Sequence, residues 1–374
     1  MRITSGFDGG NIECLAATAA DDIRLAIRKD AHADFYQWFH FRLSGARGLA
    51  CALKIGNAGA AAYPAGWKDY RACASYDRRR WFRVPTEYDG TTLTIRHAPE
   101  RDAVYYAYFA PYSMERHAGL IARALAAPPV RLTVPGLTLD GQDLDLLQIG
   151  EAAAGRKRCW VIARQHPGET MAEWWMEGFL GRLLDPADPL ARALLARATF
   201  HVVPNMNPDG SRRGHLRTNA AGANLNREWQ APSLEKSPEV FHIRAAMAET
   251  GVDFCLDVHG DEAIPYNFLA GTAGIPSLAA RQTALHQAYA EALRRANPDF
   301  QIGHGYPDNK PGKANLTMCS NYIAETHGCL AMTLEMPFKD NLLAPDPVAG
   351  WSPERSRKLG AASLDALWAV VEEL

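Results

Sequence analysis

Two kinds of hydrophobic patterning divide the chain. Up to about residue 115, apolar and polar residues alternate at period two in short runs, among them Ile23-Arg24-Leu25-Ala26-Ile27 and Thr92-Leu93-Thr94-Ile95. Trp38-Phe39-His40-Phe41-Arg42-Leu43 alternates too and is rich in aromatic rings. Successive side chains of a strand point to opposite faces, so these runs predict half-buried strands. The turn clusters Gly45-Ala46-Arg47-Gly48 and Tyr88-Asp89-Gly90 separate them, which predicts an all-β antiparallel sandwich. Tyr105 to Ala110 is a further aromatic run, closed by Pro111. A short helix from Met114 to Ala126 then leads to Pro128-Pro129, the expected domain junction.

Beyond about residue 130 the pattern changes. The apolar runs Cys159–Ala163, Thr199–Val203, Phe254–Val258 and Leu330–Leu334 alternate with helical stretches at Met171–Leu184, Pro238–Glu249, Ser277–Ala296 and Pro353–Glu373. Strand-helix alternation predicts an α/β fold whose mixed, mostly parallel central sheet is flanked by helices. The expected division is a sandwich over residues 1–127 and an α/β domain over 128–374.

The bulk composition narrows the function classes. A hydrophobic fraction of 47% and a charged fraction of 22% are those of an ordinary soluble globular protein. A net charge of −2, with both signs interspersed, argues against nucleic acid or an anionic membrane as partner. No apolar run approaches the roughly 18 residues of a membrane span, and Met1 to Asp8 has no apolar signal-peptide core. The seven cysteines are scattered without a C-x-x-C pair. Cys51, Cys159, Cys255 and Cys329 fall in or beside strand-like runs, where a thiol acts as a small buried hydrophobe. The expectation is a reduced, cytoplasmic protein.

Candidate chemistry gathers at the ends of predicted strands. His166-Pro167-Gly168-Glu169 follows the run Cys159–Ala163, and His259 follows the run Val252 to Leu256 within Asp257-Val258-His259-Gly260-Asp261-Glu262. Zinc takes His nitrogen and Glu oxygen, and a catalytic zinc keeps one position for water. His166, Glu169 and His259 make such a set for one zinc per chain, placed where open α/β sheets bind ligands. Hydrolysis at zinc also needs a base. Glu335, at the end of the run Cys329–Leu334, is the candidate, and Met336-Pro337-Phe338 is expected to stop that strand. Asn205-Met206-Asn207-Pro208-Asp209-Gly210 is good turn chemistry. Arg217, Asn226 and Arg227 supply two guanidiniums and an amide, the equipment for a free carboxylate. Asp257 shares a strand face with His259 and is a candidate partner for its imidazole.

In order and approximate spacing, His166-x-x-Glu169, Asn207-Pro208-Asp209-Gly210, Arg217, Asn226-Arg227, His259 and Glu335 resemble the zinc metallocarboxypeptidases. Phe7-Asp8-Gly9-Gly10-Asn11, Gln37-Trp38-Phe39-His40-Phe41 and Tyr105-Tyr106-Ala107-Tyr108-Phe109-Ala110-Pro111-Tyr112 look like the sandwich domain of cytosolic carboxypeptidases. The resemblance implies a hydrolase that cuts the C-terminal peptide bond, or a side-chain isopeptide bond, of peptides or protein tails. It implies that His166, Glu169 and His259 hold zinc, and that Glu335 is general base and then general acid. Arg217 would polarise the scissile carbonyl, and Asn226 with Arg227 would grip the terminal carboxylate.

One feature departs from the family pattern. Many carboxypeptidases carry a mobile active-site tyrosine about twenty residues before the catalytic glutamate, but Lys310-Pro311-Gly312-Lys313-Ala314-Asn315 has none, and Tyr322 is a phenol nearer to Glu335 in sequence. A zinc-dependent N-acyl amino acid amidohydrolase shares the His-x-x-Glu…His framework and remains an alternative, as does an inactive binding protein on the same fold. The pocket for the departing residue is expected in Ala314–Ala324, where Thr317, Ser320 and Asn321 are neutral and neighbouring Lys313 is compatible with an acidic residue.

Overall fold

The alternating runs pair into two five-stranded sheets in the computed structural model, which describes residues 1–374. One sheet orders Arg2–Thr4, His40–Ser44, Ala103–Ala107, Cys73–Ser75 and Phe82–Arg83. The other orders Glu13–Ala16, Ile23–Ala26, Cys51–Ile55, Leu93–His97 and Thr86–Tyr88. Pairing is antiparallel except where Ile23–Ala26 runs parallel to Cys51–Ile55. The period-two pattern is visible in burial: Ile23, Leu25, Leu93 and Ile95 are fully buried, whereas Arg24 and Arg96 are exposed. Helix Met114–Leu125, capped where the Ser113 hydroxyl accepts the Arg116 N–H, leads out of the sandwich.

The second part is a seven-stranded sheet in the order Val130–Thr133, Leu146–Ile149, Ala198–Val203, Lys157–Ala163, Phe254–Asp261, Leu330–Pro337, Phe268–Ala270. The central four strands are parallel and the edge pairings are antiparallel. From Lys157–Ala163 the chain steps to Ala198–Val203 on one side and later to Phe254–Asp261 on the other, which creates a crevice at the carboxyl end of that strand. Its residues feed both faces. Cys159, Val161 and Ala163 join a core of 72 buried residues that also runs through the sandwich, while Trp160 and Ile162 join one of 18. Helices Met171–Leu183 and Pro353–Trp368 cover the first face, and Pro238–Thr250 and Cys319–His327 the second. No helix is long and apolar enough to cross a membrane.

Several elements depart from the sequence expectation. The strand carrying Glu335 continues through Pro337 instead of stopping before it, on a stretch whose antiparallel neighbour reaches only to Glu335. Asn207-Pro208-Asp209-Gly210 opens a short helix, Pro208–Arg213, rather than a simple turn, because the Asn207 side chain caps it at Gly210 N–H, 3.0 Å away. The last helix ends at Trp368, followed by a short 3-10 turn at Val371–Glu373.

Two buried cations tie the parts together. Arg83 of the sandwich is 6% exposed, and its guanidinium donates only to backbone carbonyls: Arg71, Phe338, Ala349 and Trp351. Arg164 lies just beyond Ala163 and pairs with Glu173 of helix Met171–Leu183 at 2.5 Å. The other oxygen of Glu173 lies 2.6 Å from His117 Nδ1, and Asp145 lies 3.0 Å from His117 Nε2.

Burial works against a charge on His117, but Glu173 and Asp145 outweigh it and push its pKa up to about 9. A histidine raised in the folded state adds stability that is full below its unfolded value near 6.5 and is lost as pH rises through the folded value. The stability difference between wild type and His117→Gln should therefore shrink by on the order of 3 kcal/mol from pH 6 to pH 10. Denaturant melts of both proteins across that range measure it. A pH-independent difference would show that His117 is not charged in the fold.

Candidate metal centre and active site

Backbone constraint places the first two functional residues. Arg164 adopts a left-handed φ of 60°, held by Glu173 and by the Arg164 Nε bond to Pro167 O at 3.1 Å. A Cβ at Gly168 would meet Leu216 O at 2.8 Å, so only glycine lets the turn pass so close to the Leu216 loop. The chain then enters helix Met171–Leu183 with Glu169 turned back toward His166. The parallel register brings in the rest: His259 lies beside Glu335 on the adjoining strand.

His166, Glu169 and His259 are all buried, and their ligand atoms lie within 4.8 Å of one another. His166 Nδ1 is 2.7 Å from Glu169 Oε1, His259 Nδ1 is 2.8 Å from Glu169 Oε2, and the two Nδ1 atoms are 3.1 Å apart. The far ring nitrogens are occupied. Asp257 Oδ2, which can only accept when ionised, lies 2.9 Å from His259 Nε2, and Asn224 Oδ1 lies 3.0 Å from His166 Nε2. With Nε2 the donor on each ring, both Nδ1 atoms present lone pairs. Two lone pairs and a carboxylate then converge on one buried point with no donor among them, an arrangement that a cation resolves. Nitrogen and oxygen donors, three in number with outer partners fixing each imidazole, fit a catalytic zinc.

The electrostatics follow from this crowding. Burial works against the Glu169 carboxylate, yet His166 and His259 hold it below the usual range. Burial, with help from Arg217, pushes His166 down to about 3. Burial disfavours charge on His259, but Asp257 and Glu169 overcome it and call for positive charge there, which either a proton on Nδ1 or a metal ion in its place supplies. The Glu335 carboxyl is raised well above its ordinary value by burial; His259 opposes this, and Glu169, Asp261 and Glu262 reinforce it. Glu335 Oε2 is buried without a hydrogen-bond partner. A raised carboxyl with one oxygen free is suited to taking and returning a proton.

The remaining predicted residues lie around this centre. Burial disfavours the Arg217 cation, but Tyr63, Glu169, Glu262 and Glu335 more than compensate. Burial and neighbouring Arg217 lower Arg227, whose Nη1 donates to Asn226 O at 2.6 Å. Asn226 is buried, and its Oδ1 accepts Cys319 N–H at 2.8 Å, which turns its amide toward the loop before helix Cys319–His327.

A cavity of about 770 Å³ opens beside Glu335, lined among others by Thr333, Ser320, Asn321, Tyr306 and His286. Lys313 and Thr317 are not in its wall, and no lysine or arginine is. Lys313 therefore brings no cation to this cavity.

Tyr322 is not the site phenol either. It packs under Arg244, 5.4 Å from its ring centroid, against the smaller core. The site phenol is Tyr306, whose hydroxyl donates to Asp261 Oδ2 at 2.6 Å and lies 3.4 Å from Glu335 Oε1. Sequence reasoning missed it because it stands 29 residues before Glu335, on a loop without periodic signal. Asn224 and Gln165, which donates to Asp257 at 2.6 Å, were missed as well. Their closeness in sequence to Asn226 and His166 was the available cue.

Comparison with known proteins agrees with this geometry. Residues 3–109 match the cytosolic carboxypeptidase N-terminal domain and residues 124–349 match the zinc carboxypeptidase family. A metallo-carboxypeptidase structure from Burkholderia cenocepacia is 50% identical with a TM-score of 0.97, covering 100% of this chain and 99% of that one. A metallo-carboxypeptidase from Pseudomonas aeruginosa, in complex with (2-guanidinoethylmercapto)succinic acid, is 47% identical with a TM-score of 0.97 and 100% coverage of both chains. Human cytosolic carboxypeptidase 1 is 27% identical over 72% of this chain, which spans only 26% of that longer protein. The chain belongs to the zinc carboxypeptidase family, as a metallocarboxypeptidase with a cytosolic carboxypeptidase N-terminal domain ahead of its catalytic fold.

Proposed function

We propose that this enzyme works in the cytoplasm, removing C-terminal residues from peptides or protein tails, with Glu335 carrying the proton. The observation that carries the reading is the convergence of His166, Glu169 and His259 on one buried point beside Glu335, whose Oε2 has no hydrogen-bond partner. Zinc held by those three side chains supplies Lewis acidity and a more acidic water near neutral pH. Arg227 and Asn226 bind the free carboxylate of the C-terminal residue, Arg227 through its two-pronged guanidinium. Arg217 donates to the scissile carbonyl oxygen as it gains negative charge. Glu335 accepts a proton from the attacking water and returns it to the leaving amine.

The cavity beside Glu335 receives the departing side chain. Its lining includes the acidic residues Glu335, Asp308 and Glu291 and no lysine or arginine, so it offers an acidic side chain no cationic partner and favours neutral or cationic ones. The Pseudomonas relative's ligand, two carboxylates on a guanidinium arm, has compatible chemistry. Reading a free carboxylate also fits an N-acyl amino acid amidohydrolase, which a panel of acyl-amino acids beside the peptides distinguishes.

Purified wild type should hold one zinc per chain, and His166→Ala and His259→Ala should each lose it, as read by elemental analysis. Full retention of zinc in both variants would remove this ligand assignment.

Glu335→Gln should keep its zinc and its melting behaviour while kcat falls by roughly 10²–10⁴. Near wild-type turnover would exclude Glu335 as the base and direct attention to Glu262.

A scan of synthetic peptides varying the C-terminal residue, each with a free or amidated end, tests the specificity. Amidation should cost at least about 10² in kcat/KM, because Arg227 is left without its anion. Peptides ending in Glu or Asp should be the slowest of the free-ended set. Arg227→Ala should raise KM with little change in kcat, and Arg217→Ala should mainly lower kcat. Efficient cleavage of amidated peptides would sink the carboxypeptidase reading.

A further inference from the structure

Arg217 stands among carboxylates and pairs with none of them. Glu169, Glu262 and Glu335 all act on its charge, yet its guanidinium forms no ion pair and no side-chain hydrogen bond. A long cation beside buried acids ordinarily collapses onto one of them. Something holds this one back, and the holding groups come from the N-terminal sandwich.

We infer that Asp30 is a positioning residue for Arg217. The inference rests on the reading of Arg217 as the group that stabilises charge on the scissile carbonyl. Asp30 is 2% exposed and spends its carboxylate on the loop that carries Arg217. Oδ1 accepts Leu216 N–H at 2.7 Å, and Oδ2 accepts Arg217 N–H at 2.8 Å, Thr218 N–H at 2.9 Å and the Thr218 hydroxyl at 3.1 Å. Three consecutive backbone donors bound to one anion fix the peptide planes on both sides of Arg217. Charge-assisted bonds of this kind are about twice as strong as neutral ones.

The neighbouring residue locks the same loop. Ala31 N–H donates to His215 Nε2 at 3.1 Å, so His215 Nδ1 carries the proton and donates to Thr218 O at 2.9 Å. The loops also approach too closely for a side chain: a Cβ at Gly222 would lie 2.5 Å from His32 O. At its far end, the guanidinium of Arg217 lies 5.8 Å from the Phe35 ring and 5.3 Å from the Tyr63 ring, within cation–π range. Burial pushes the Tyr63 phenol up to about 12, so it stays neutral beside that cation.

The sandwich therefore grips Arg217 at both its backbone and its head. Its N–H donors stay free for a substrate oxygen and it is kept from neutralising Glu335. Loss of the Asp30 clamp changes where the guanidinium sits, which affects turnover more than binding, since small misplacements are costly at a reacting centre.

The test is a double-mutant cycle on the best peptide from the C-terminal scan, with zinc content and melting temperature measured for each protein. Asp30→Asn keeps the shape but points N–H groups at N–H donors. It should lower kcat by roughly 10–10², leave KM within about threefold, and retain zinc. In an Arg217→Ala background the same change should cost less than about threefold, because the residue it positions is gone. A zinc-independent measurement accompanies this: amide hydrogen exchange at Leu216, Arg217 and Thr218 should speed up in metal-free Asp30→Asn. If Asp30→Asn does not fold, Thr218→Val removes a single donor to Asp30 and is judged by the same criteria.

Equal losses in both backgrounds, an unchanged kcat, or unchanged exchange at the three amides would each overturn the inference. If Arg217→Ala itself keeps full turnover, the role of Arg217 falls and the inference with it. Zinc loss in the histidine variants and the effect of Glu335→Gln would then still stand on their own.

Discussion

A surplus of buried acceptors at the carboxyl ends of three parallel strands governs the rest of this structure. Parallel pairing sets His259 beside Glu335, and the turn after Ala163 adds His166 and Glu169. Asp257, Asp261 and Glu262 belong to the same strand end. Negative charge and lone pairs packed this densely need compensation, and the surroundings are organised to give it. Gln165 donates to Asp257, Trp229 Nε1 holds Gln165 in turn, and Gly260 N–H serves Glu169. What these neutral donors leave uncompensated falls to a metal ion and to Arg217.

The compensation is shared between the two parts of the chain. His166, Glu169, His259 and Glu335 come from the α/β part, whereas Asp30, Phe35 and Tyr63 of the sandwich surround Arg217. Gly66 packs so near Glu262 that a Cβ there would lie 2.9 Å from the Glu262 Cβ. The sandwich thus forms one wall of the site. The large core that crosses from one part to the other backs that wall.

How much of this was legible in the sequence depended on range. The cluster of His166, Glu169 and His259 was readable because His166 and His259 each follow a strong apolar run, and a strand end is a place that local patterning specifies. The main helices were readable for the same reason, to within a few residues. Three-residue strands such as Phe268–Ala270 carry too little periodicity to declare themselves, so the sheet edges were missed. Tyr306 sits on a loop whose course is set by the elements around it. Asp30 stands 186 residues from Leu216, and nothing near it in sequence foretells a partner there. Charged residues with distant partners look like surface residues until the chain is folded.

Arg83 has a consequence of a different kind. Its side chain addresses four peptide oxygens, three of them at positions 338, 349 and 351 of the segment that follows the strand of Glu335. Peptide oxygens are common to all twenty amino acids, so this joint recognises the course of the chain and not its spelling. The exposed side chains of that segment, those of Leu342, Leu343 and Val348, are thereby released from any duty in holding the two parts together. Their identities are free to drift while the seam beneath them stays closed, so variation in that loop says little about whether the parts still fit.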